Sequence, residues 1–210
     1  GKLLLGGHCA GSSIATVGPC VMRLNANGTV DTTFGSAGRT LVRINLEEQL
    51  TSMLVRPDGK IVFAFQSNSA FPPAAETPFV NVAQLSANGT LDTAFGVSGI
   101  RGITVATTNK LPRMALQPDG KIVVAFVCDN GQCGKRLDAA GNVDASFNYP
   151  NGVPVGMPID AGEYGLKPLL QSDGKILWIG SVVPVAPGSG TLDFYAMRSL
   201  DTGTLDTAYT

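Results

Sequence analysis

Histidine is nearly absent from this chain: His8 is the only one among 210 residues. Without a second imidazole, the usual acid–base and Ser-His arrangements have almost no material. Charge is scarce as well. Charged residues make up 15% of the sequence, and 15 basic against 16 acidic side chains leave a net charge of −1. So weak a field gives no long-range pull on nucleic acid or on an anionic membrane, and neither is expected as a partner. Long helical proteins carry more Glu, Lys and Arg than this. No apolar run reaches the roughly 18 residues of a spanning helix, so no membrane span is expected. The chain opens at Gly1 with no signal-like segment, which is uninformative for a mature form or a fragment.

Apolar residues make up 44% of the sequence, punctuated by 26 glycines and 13 prolines. Disordered chains lack so much apolar material, whereas turn-rich β folds combine both features. The length suffices to bury a core, either as one all-β domain or as a short repeat array.

The chain is self-similar. A turn followed by an apolar run occurs as Pro57-Asp58-Gly59-Lys60-Ile61-Val62-Phe63 and as Pro118-Asp119-Gly120-Lys121-Ile122-Val123-Val124. It returns as Ser172-Asp173-Gly174-Lys175-Ile176-Leu177-Trp178, and the chain opens inside it at Gly1-Lys2-Leu3-Leu4-Leu5. The turn glycines are spaced 58, 61 and 54 residues apart. A second marker, Leu-x-x-x-Gly-x-x-Asp-x-x-Phe, follows each first one. It spans Leu24 to Asp31 and Phe34, Leu85 to Asp92 and Phe95, and Leu137 to Asp144 and Phe147. A fourth copy from Leu200 to Asp206 and Tyr209 is shorter by one residue. Two markers sharing one period make a true repeat.

Each repeat reads as four strands, in the second roughly Arg39–Ile44, Thr51–Arg56, Lys60–Gln66 and Phe79–Leu85. Pro-Asp-Gly supplies the tight turn between the middle two: Pro sets φ, Asp bonds its own backbone and Gly accepts positive φ. Ile61-Val62-Phe63-Ala64-Phe65 is apolar at every position, so both its faces should be covered. Small sheets stacked around an axis cover both faces, as do stacked sandwiches. Four strands in 50–60 residues is the propeller spacing.

The run Ala115 to Val124, followed by the Arg-Leu-x-Ala-x-Gly-x-x-Asp-x-x-Phe element, resembles the delta-60 repeat, a bacterial family of β-propeller-like repeats. The resemblance covers nearly the whole chain and is best in the second and third copies. It implies an exported or surface-associated bacterial protein and no particular activity. The expected fold is all-β, a β-propeller-like array of about 3.5 four-stranded antiparallel units in one domain over 1–210. The units run 1–34 (a half), 35–95, 96–147 and 148–210. A chain of three whole units and a half is expected to be a slice of a longer protein, or to complete its sheets with a neighbour.

The cysteines follow the repeat. Cys9 and Cys128 each lie eight residues after a turn glycine, and Cys20 and Cys133 each lie four before a marker leucine. Both pairs fall at a hairpin mouth, with Asp129-Asn130-Gly131-Gln132 as a four-residue loop. Opposed residues there suit a disulfide, so Cys9–Cys20 and Cys128–Cys133 are expected, implying an oxidising compartment. The second copy holds Ser67 and Asn81 at these positions, and the fourth Val182 and Ala196. Free thiols and a zinc site are the competing readings, but only one pair approaches zinc spacing.

Several residues are candidates for chemistry. Asn25-x-Asn27-Gly28-x-x-Asp31 faintly resembles a calcium loop. The competing role is structural: a turn at Asn-Gly, with Asp31, Asp92, Asp144 and Asp206 capping backbone and Phe34, Phe95, Phe147 and Tyr209 plugging gaps between units. Asp58, Gly59, Asp119, Gly120, Asp173 and Gly174 are likewise turn-formers. The sequons at Asn27 and Asn88 sit in that turn and are expected bare. His8 reads as an exposed loop residue and Trp178 as core. Glu47, Glu48, Glu76 and Glu163 are the scattered acids from which a glycosidase pair would have to come. Phe71, Phe79, Phe194 and Tyr195, in or beside Pro-rich insertions, are candidate recognition residues. The leading function is a non-enzymatic, secreted or cell-surface interaction or structural module, without cofactor or resident metal. Its expected partner is a protein or a second copy, with a glycan also open. A glycan hydrolase or lyase and a calcium-stabilised adhesin are the alternatives.

Overall fold

The structure, a computed structural model, describes residues 1–9, 18–43, 48–67, 79–104, 111–128, 131–147, 149, 167–182 and 193–209. Among these every regular element is a β-strand. They are β1 (Leu3–Cys9), β2 (Gly18–Leu24), β3 (Arg39–Leu41), β4 (Gln49–Val55), β5 (Ile61–Ser67), β6 (Phe79–Leu85) and β7 (Ile100–Thr104). They continue as β8 (Arg113–Leu116), β9 (Ile122–Cys128), β10 (Gly131–Leu137), β11 (Lys167–Leu170), β12 (Ile176–Val182) and β13 (Asp193–Ser199). The strands form small antiparallel sheets ordered β1-β2-β3, β4-β5-β6-β7, β10-β9-β8 and β11-β12-β13. The single domain expected over 1–210 divides into two compact units, Gly1–Val105 and Ala106–Thr210, each holding two sheets.

Strand existence and order match the reading of the repeat, but the unit boundaries do not. Arg39–Leu41 does not open the sheet of β4; it pairs with β2 and closes the sheet before it. Ile100–Thr104 likewise pairs with β6. Boundaries at 34/35 and 95/96 therefore cut through sheets. The cause is the corner after the marker phenylalanine. Gly38 N–H donates to the Phe34 carbonyl at 2.8 Å, and Arg23 N–H to the Gly38 carbonyl at 3.0 Å. These bonds turn the chain back antiparallel onto β2 before the next sheet begins.

Both markers use one turn. In the first, Gly59 N–H donates to the Arg56 carbonyl at 2.9 Å, Arg56 N–H donates to the Lys60 carbonyl at 2.8 Å, and Gly59 sits at φ +82°. Asp58 Oδ1 accepts from Lys60 N–H at 3.1 Å, which pins the loop. In the second, Gly28 N–H donates to Asn25 and Asn25 N–H to Thr29, with Gly28 at φ +84°. A turn followed by a left-handed residue matches the strand twist, and glycine holds that position without steric cost.

The inner strands are covered as their composition demands. Ile61, Val62, Phe63, Ala64 and Phe65 are all 0–1% exposed. In the first unit Ile61, Phe63 and Phe65 pack with Val21, Phe34 and Leu85; in the second, Val123, Phe147, Ile176, Trp178 and Met197 form the core. β1 departs from this: Leu3 is 56% and Leu5 51% exposed.

The fourth copy carries no deletion. The bridges Leu24–Val30, Leu85–Leu91 and Leu137–Val143 correspond to Ser199–Leu205, so Ser199 rather than Leu200 takes the marker position. Serine stands there because the opposing inner strand carries Trp178, fully buried, whose Nε1–H donates to Ser199 Oγ at 2.9 Å. Ser199→Leu, restoring the residue of the other copies, is expected to cost about 1–3 kcal/mol by leaving the indole N–H unpaired. Adding Trp178→Phe should recover part of that loss. Denaturant unfolding of both single variants and the double variant measures it, and strict additivity would contradict the pairing.

Candidate functional site

The most elaborate cluster in each repeat lies around the marker aspartate. Asp31 Oδ1 accepts from Thr33 N–H at 3.2 Å and from Thr33 Oγ1–H at 2.6 Å, and Oδ2 accepts from Arg23 Nε at 2.6 Å and pairs with Lys2. Asp144 and Asp206 hold Arg136 and Arg198 in the same way, at 2.9 and 2.8 Å. The second copy has Gln84 in place of the arginine, donating to Asp92 at 2.8 Å, while Lys60 pairs with Asp92 at 2.9 Å. Lys175 pairs with Asp206 at 3.1 Å, whereas Lys121 turns to its own loop aspartate, Asp119, at 3.0 Å.

Each arginine also lies over the marker ring. The guanidinium carbon is 4.7 Å from the Phe34 centroid, 4.8 Å from that of Phe147 and 4.6 Å from that of Tyr209. Carboxylate and ring together hold the fork flat, which leaves its far nitrogens to point onward. Arg23 Nη1 donates to the Ala87 carbonyl at 2.6 Å, and Arg136 Nη1 to the Asp201 carbonyl at 2.6 Å. Ala87 and Asp201 occupy one position in the Asn-Gly-type turn of the following sheet. Gly35 N–H completes the first of these contacts by donating to Asn88 at 2.8 Å. A Cβ on Gly89 would come within 2.8 Å of the Phe34 ring, so only glycine lets the turn lie on it. The arginines and the lysine of Pro-Asp-Gly-Lys stand in the sequence motifs, but the motifs assign them no role. Their signal was their recurrence, one residue before the marker leucine and one after the turn glycine.

All four aspartates are held below the usual carboxylate range. Lys2 is the first cause at Asp31, followed by Thr33 and Arg23; Lys60 is the first at Asp92, Ser146 at Asp144 and Lys175 at Asp206. The loop that faintly resembled a calcium site thus points its oxygens at hydrogen-bond donors. Asn27 Oδ1 accepts from Thr29 Oγ1–H at 2.7 Å, and Asn25 Nδ2 donates to the same hydroxyl at 3.0 Å. Among the described residues no group of three or more His, Cys, Asp or Glu is placed to hold a metal ion.

Cys9 and Cys20 form a disulfide with Cα atoms 5.7 Å apart. They are not opposed as expected: Cys9 faces Gly18 and Cys20 faces Gly7, so the bond runs diagonally. Strand twist draws one diagonal together, and the facing glycines offer no competing side chain. Cys133 is disulfide-bonded; the Cys128 side chain lies outside the described part. Cys128 pairs with Gly131, so Gly131 and Gln132 are strand residues rather than loop. In the second copy the same diagonal holds a buried hydrogen bond, Asn81 Nδ2 donating to Ser67 Oγ at 2.8 Å. In the fourth, the register makes Tyr195 rather than Ala196 the equivalent of Cys20.

The remaining candidates do not converge. His8 is exposed but lies in β1, its Nδ1–H donating to the Glu48 carbonyl at 3.1 Å, and is not a loop residue. Phe79, Phe194 and Tyr195 belong to strands β6 and β13 rather than to insertion loops, and Tyr195 packs on the second unit's core. Phe71, Glu47, Glu76 and Glu163 lie outside the described residues, while Glu48 is 2% exposed.

A family model described as a β-propeller domain of unknown function, DUF5122, matches residues 1–34 and 56–95. No curated protein matches the chain. One similar solved structure is a protein of unknown function from Bacteroides caccae at 1.35 Å. It is 14% identical with a TM-score of 0.42, over 98% of this chain and 71% of that one. The fold is all-β and β-propeller-like.

Two outcomes are expected. Because the marker aspartates have folded pKa values below their unfolded value near 3.9, their stabilisation is complete above that value and is lost as pH falls toward the folded one. Melting temperature should hold from about pH 7 to 5 and fall below about pH 4, with a shallower fall in Asp144→Asn. Stability rising on acidification from pH 5 to 3 would contradict this. Separately, Ser67→Cys with Asn81→Cys should form a further disulfide on the shared diagonal, adding about 3 kcal/mol for a loop of this length. Non-reducing peptide mass mapping detects the bond, and two persistently free thiols would count against equivalence of the positions.

Proposed function

We propose that this chain is a non-enzymatic, extracellular or cell-surface interaction or structural module on its β-propeller-like scaffold. One observation carries the reading: the acidic group that recurs in every copy is engaged in every copy by lysine, arginine, glutamine or backbone donors. Repetition here multiplies a fastening rather than a reactive group. The resemblance to the delta-60 repeat supports export, and the Cys9–Cys20 bond suits an oxidising compartment. Glu48 is enclosed, which disfavours it as a solvent-facing acid of a glycan-acting enzyme.

Incubation with a panel of acidic and neutral polysaccharides, read as new reducing ends or unsaturated products, tests the reading. No release above the protein-free control is expected. Turnover that disappears in Glu163→Gln or Glu76→Gln would establish the glycan-enzyme alternative instead. Thermal melts with a chelator and with added calcium should coincide; a clear drop in chelator would favour the calcium-stabilised adhesin.

A further inference from the structure

Two positions of the repeat vary in step. One is the residue just before the turn of the first marker; the other is the residue just before the leucine of the second, or before Ser199 in the fourth copy. The second copy pairs Arg56 with Gln84, the third Gln117 with Arg136 and the fourth Gln171 with Arg198. Each copy in which both positions occur thus holds one arginine and one glutamine, and the order is reversed in the second. Hydrogen bonds show the places to be equivalent. Arg56 N–H donates to the Lys60 carbonyl at 2.8 Å, Gln117 N–H to that of Lys121 at 2.8 Å and Gln171 N–H to that of Lys175 at 2.9 Å. At the other place Gln84 Nε2 and the Nε atoms of Arg136 and Arg198 all donate to Oδ2 of the marker aspartate.

Both places look onto the same pair of carboxylates. Residues opposed across a hairpin turn have their side chains on one face. Lys60 reaches Asp92 at 2.9 Å, so Arg56 opposite it stands on the face that carries Asp92. Burial pushes the Arg56 guanidinium below its usual range, and Asp58 and Asp92 act against that. In the third copy Arg136 bonds the marker carboxylate of Asp144 at 2.9 Å. Against burial, Lys121 and then Arg136 hold the loop carboxylate of Asp119 below the usual range. One arginine therefore serves a loop aspartate and a marker aspartate in each of these copies, from just past β4 in the second and from β10 in the third.

The number of arginines is constrained from both sides. Arg56, Gln84, Gln117 and Arg136 are all buried. Two guanidiniums in one copy would set three cations, counting the lysine, against two carboxylates, and surplus buried charge is costly. Two glutamines would leave the marker carboxylate to lysine, which does not always serve it: Lys121 pairs with Asp119 instead. The glutamine is a neutral filler. Among the described residues Oε1 of Gln84 and Oε1 of Gln117 meet no hydrogen-bond donor.

We propose that Arg56 and Gln84 are an exchanged pair: Arg56 supplies to Asp58 and Asp92 the charge that Arg136 supplies to Asp119 and Asp144, and Gln84 keeps only the near hydrogen bond of the arginine it replaces. Arg56 is thereby the positioning residue for the marker aspartate of its copy. The exchange changes what the third strand can offer. Arg23 and Arg136 reach a carbonyl of the following turn through Nη1. Glutamine has no such far nitrogen, so the second copy satisfies its carboxylates without an onward donor at this place. The inference concerns the frame of the chain and stands whether or not the interaction-module reading does.

Four variants of the full chain test it: Arg56→Gln, Gln84→Arg, the exchange that combines them, and Arg56→Lys. Carbon-13 NMR titration follows the Asp92 carboxyl, and denaturant unfolding follows stability. Arg56→Gln should raise the Asp92 midpoint by a few tenths of a pH unit, Arg56→Lys should leave it in place, and the exchange should return it to the wild-type value or below. Each single Arg/Gln change should destabilise the chain. The exchange should be less unfolded, by at least about fivefold, than the two single effects multiplied together imply. An exchange that folds where Arg56→Gln alone does not would be the same result in stronger form. An Asp92 midpoint indifferent to Arg56→Gln, an exchange no better than the product of its parts, or an exchange that fails to fold would each overturn the proposal.

Discussion

The structure depends on one charged group being neutralised from three sides. A nearly enclosed carboxylate is costly unless cations and N–H donors surround it, and here the marker aspartate receives all of these within its own repeat. At Asp31 its oxygens tie the turn of the first marker, through Lys2, to the end of β2, through Arg23, and to the corner leading into β3. The arginine held in this way is flat and pre-aimed, so reaching the next sheet's carbonyl costs little further ordering. Strand pairing makes each sheet; the aspartate decides where that sheet presents its donor to the next.

Much of this was legible in the sequence, for physical reasons that differ from residue to residue. Pro-Asp-Gly and Asn-Gly announced turns because backbone geometry with positive φ restricts which residues fit, and such restrictions are local. The inner strands were legible because Ile61 to Phe65 leaves no position for a wet face. Trp178 read correctly as core for the same reason. What stayed hidden was long-range. Nothing in Arg39–Leu41 says which neighbour it pairs with, since either pairing satisfies its backbone, and only the corner at Phe34–Gly38 decides. The partners of Arg23 and Arg136 were hidden because they are backbone carbonyls more than sixty residues away, and carbonyls leave no mark in the letters. The fourth copy misled through a coincidence: Leu200 imitates the marker leucine, while the true occupant became serine to satisfy an indole on another strand.

The diagonal at the hairpin mouth shows how little chemistry such a position prescribes. A disulfide in the first sheet, a Ser67–Asn81 hydrogen bond in the second and a tyrosine packed on core in the fourth all serve where β-strands twist together. In the first two sheets the common demand is a cross-strand contact reaching one residue pair beyond direct opposition, not a thiol. Cysteine at these sites therefore speaks to the compartment in which the chain folds more than to the architecture, which the second sheet attains without it.

The strand lent backward, β3 to the first sheet and β7 to the second, has a consequence for how such a chain can grow. Because the first two sheets each borrow their last strand from beyond the marker, a cut at the marker does not isolate either of them together with everything that precedes it in the period. Any window one period long still contains one of each part, whatever its starting point. A tandem duplication with arbitrary breakpoints thus lengthens the array in register, and the phase at which the ancestral segment was copied leaves no trace in the fold.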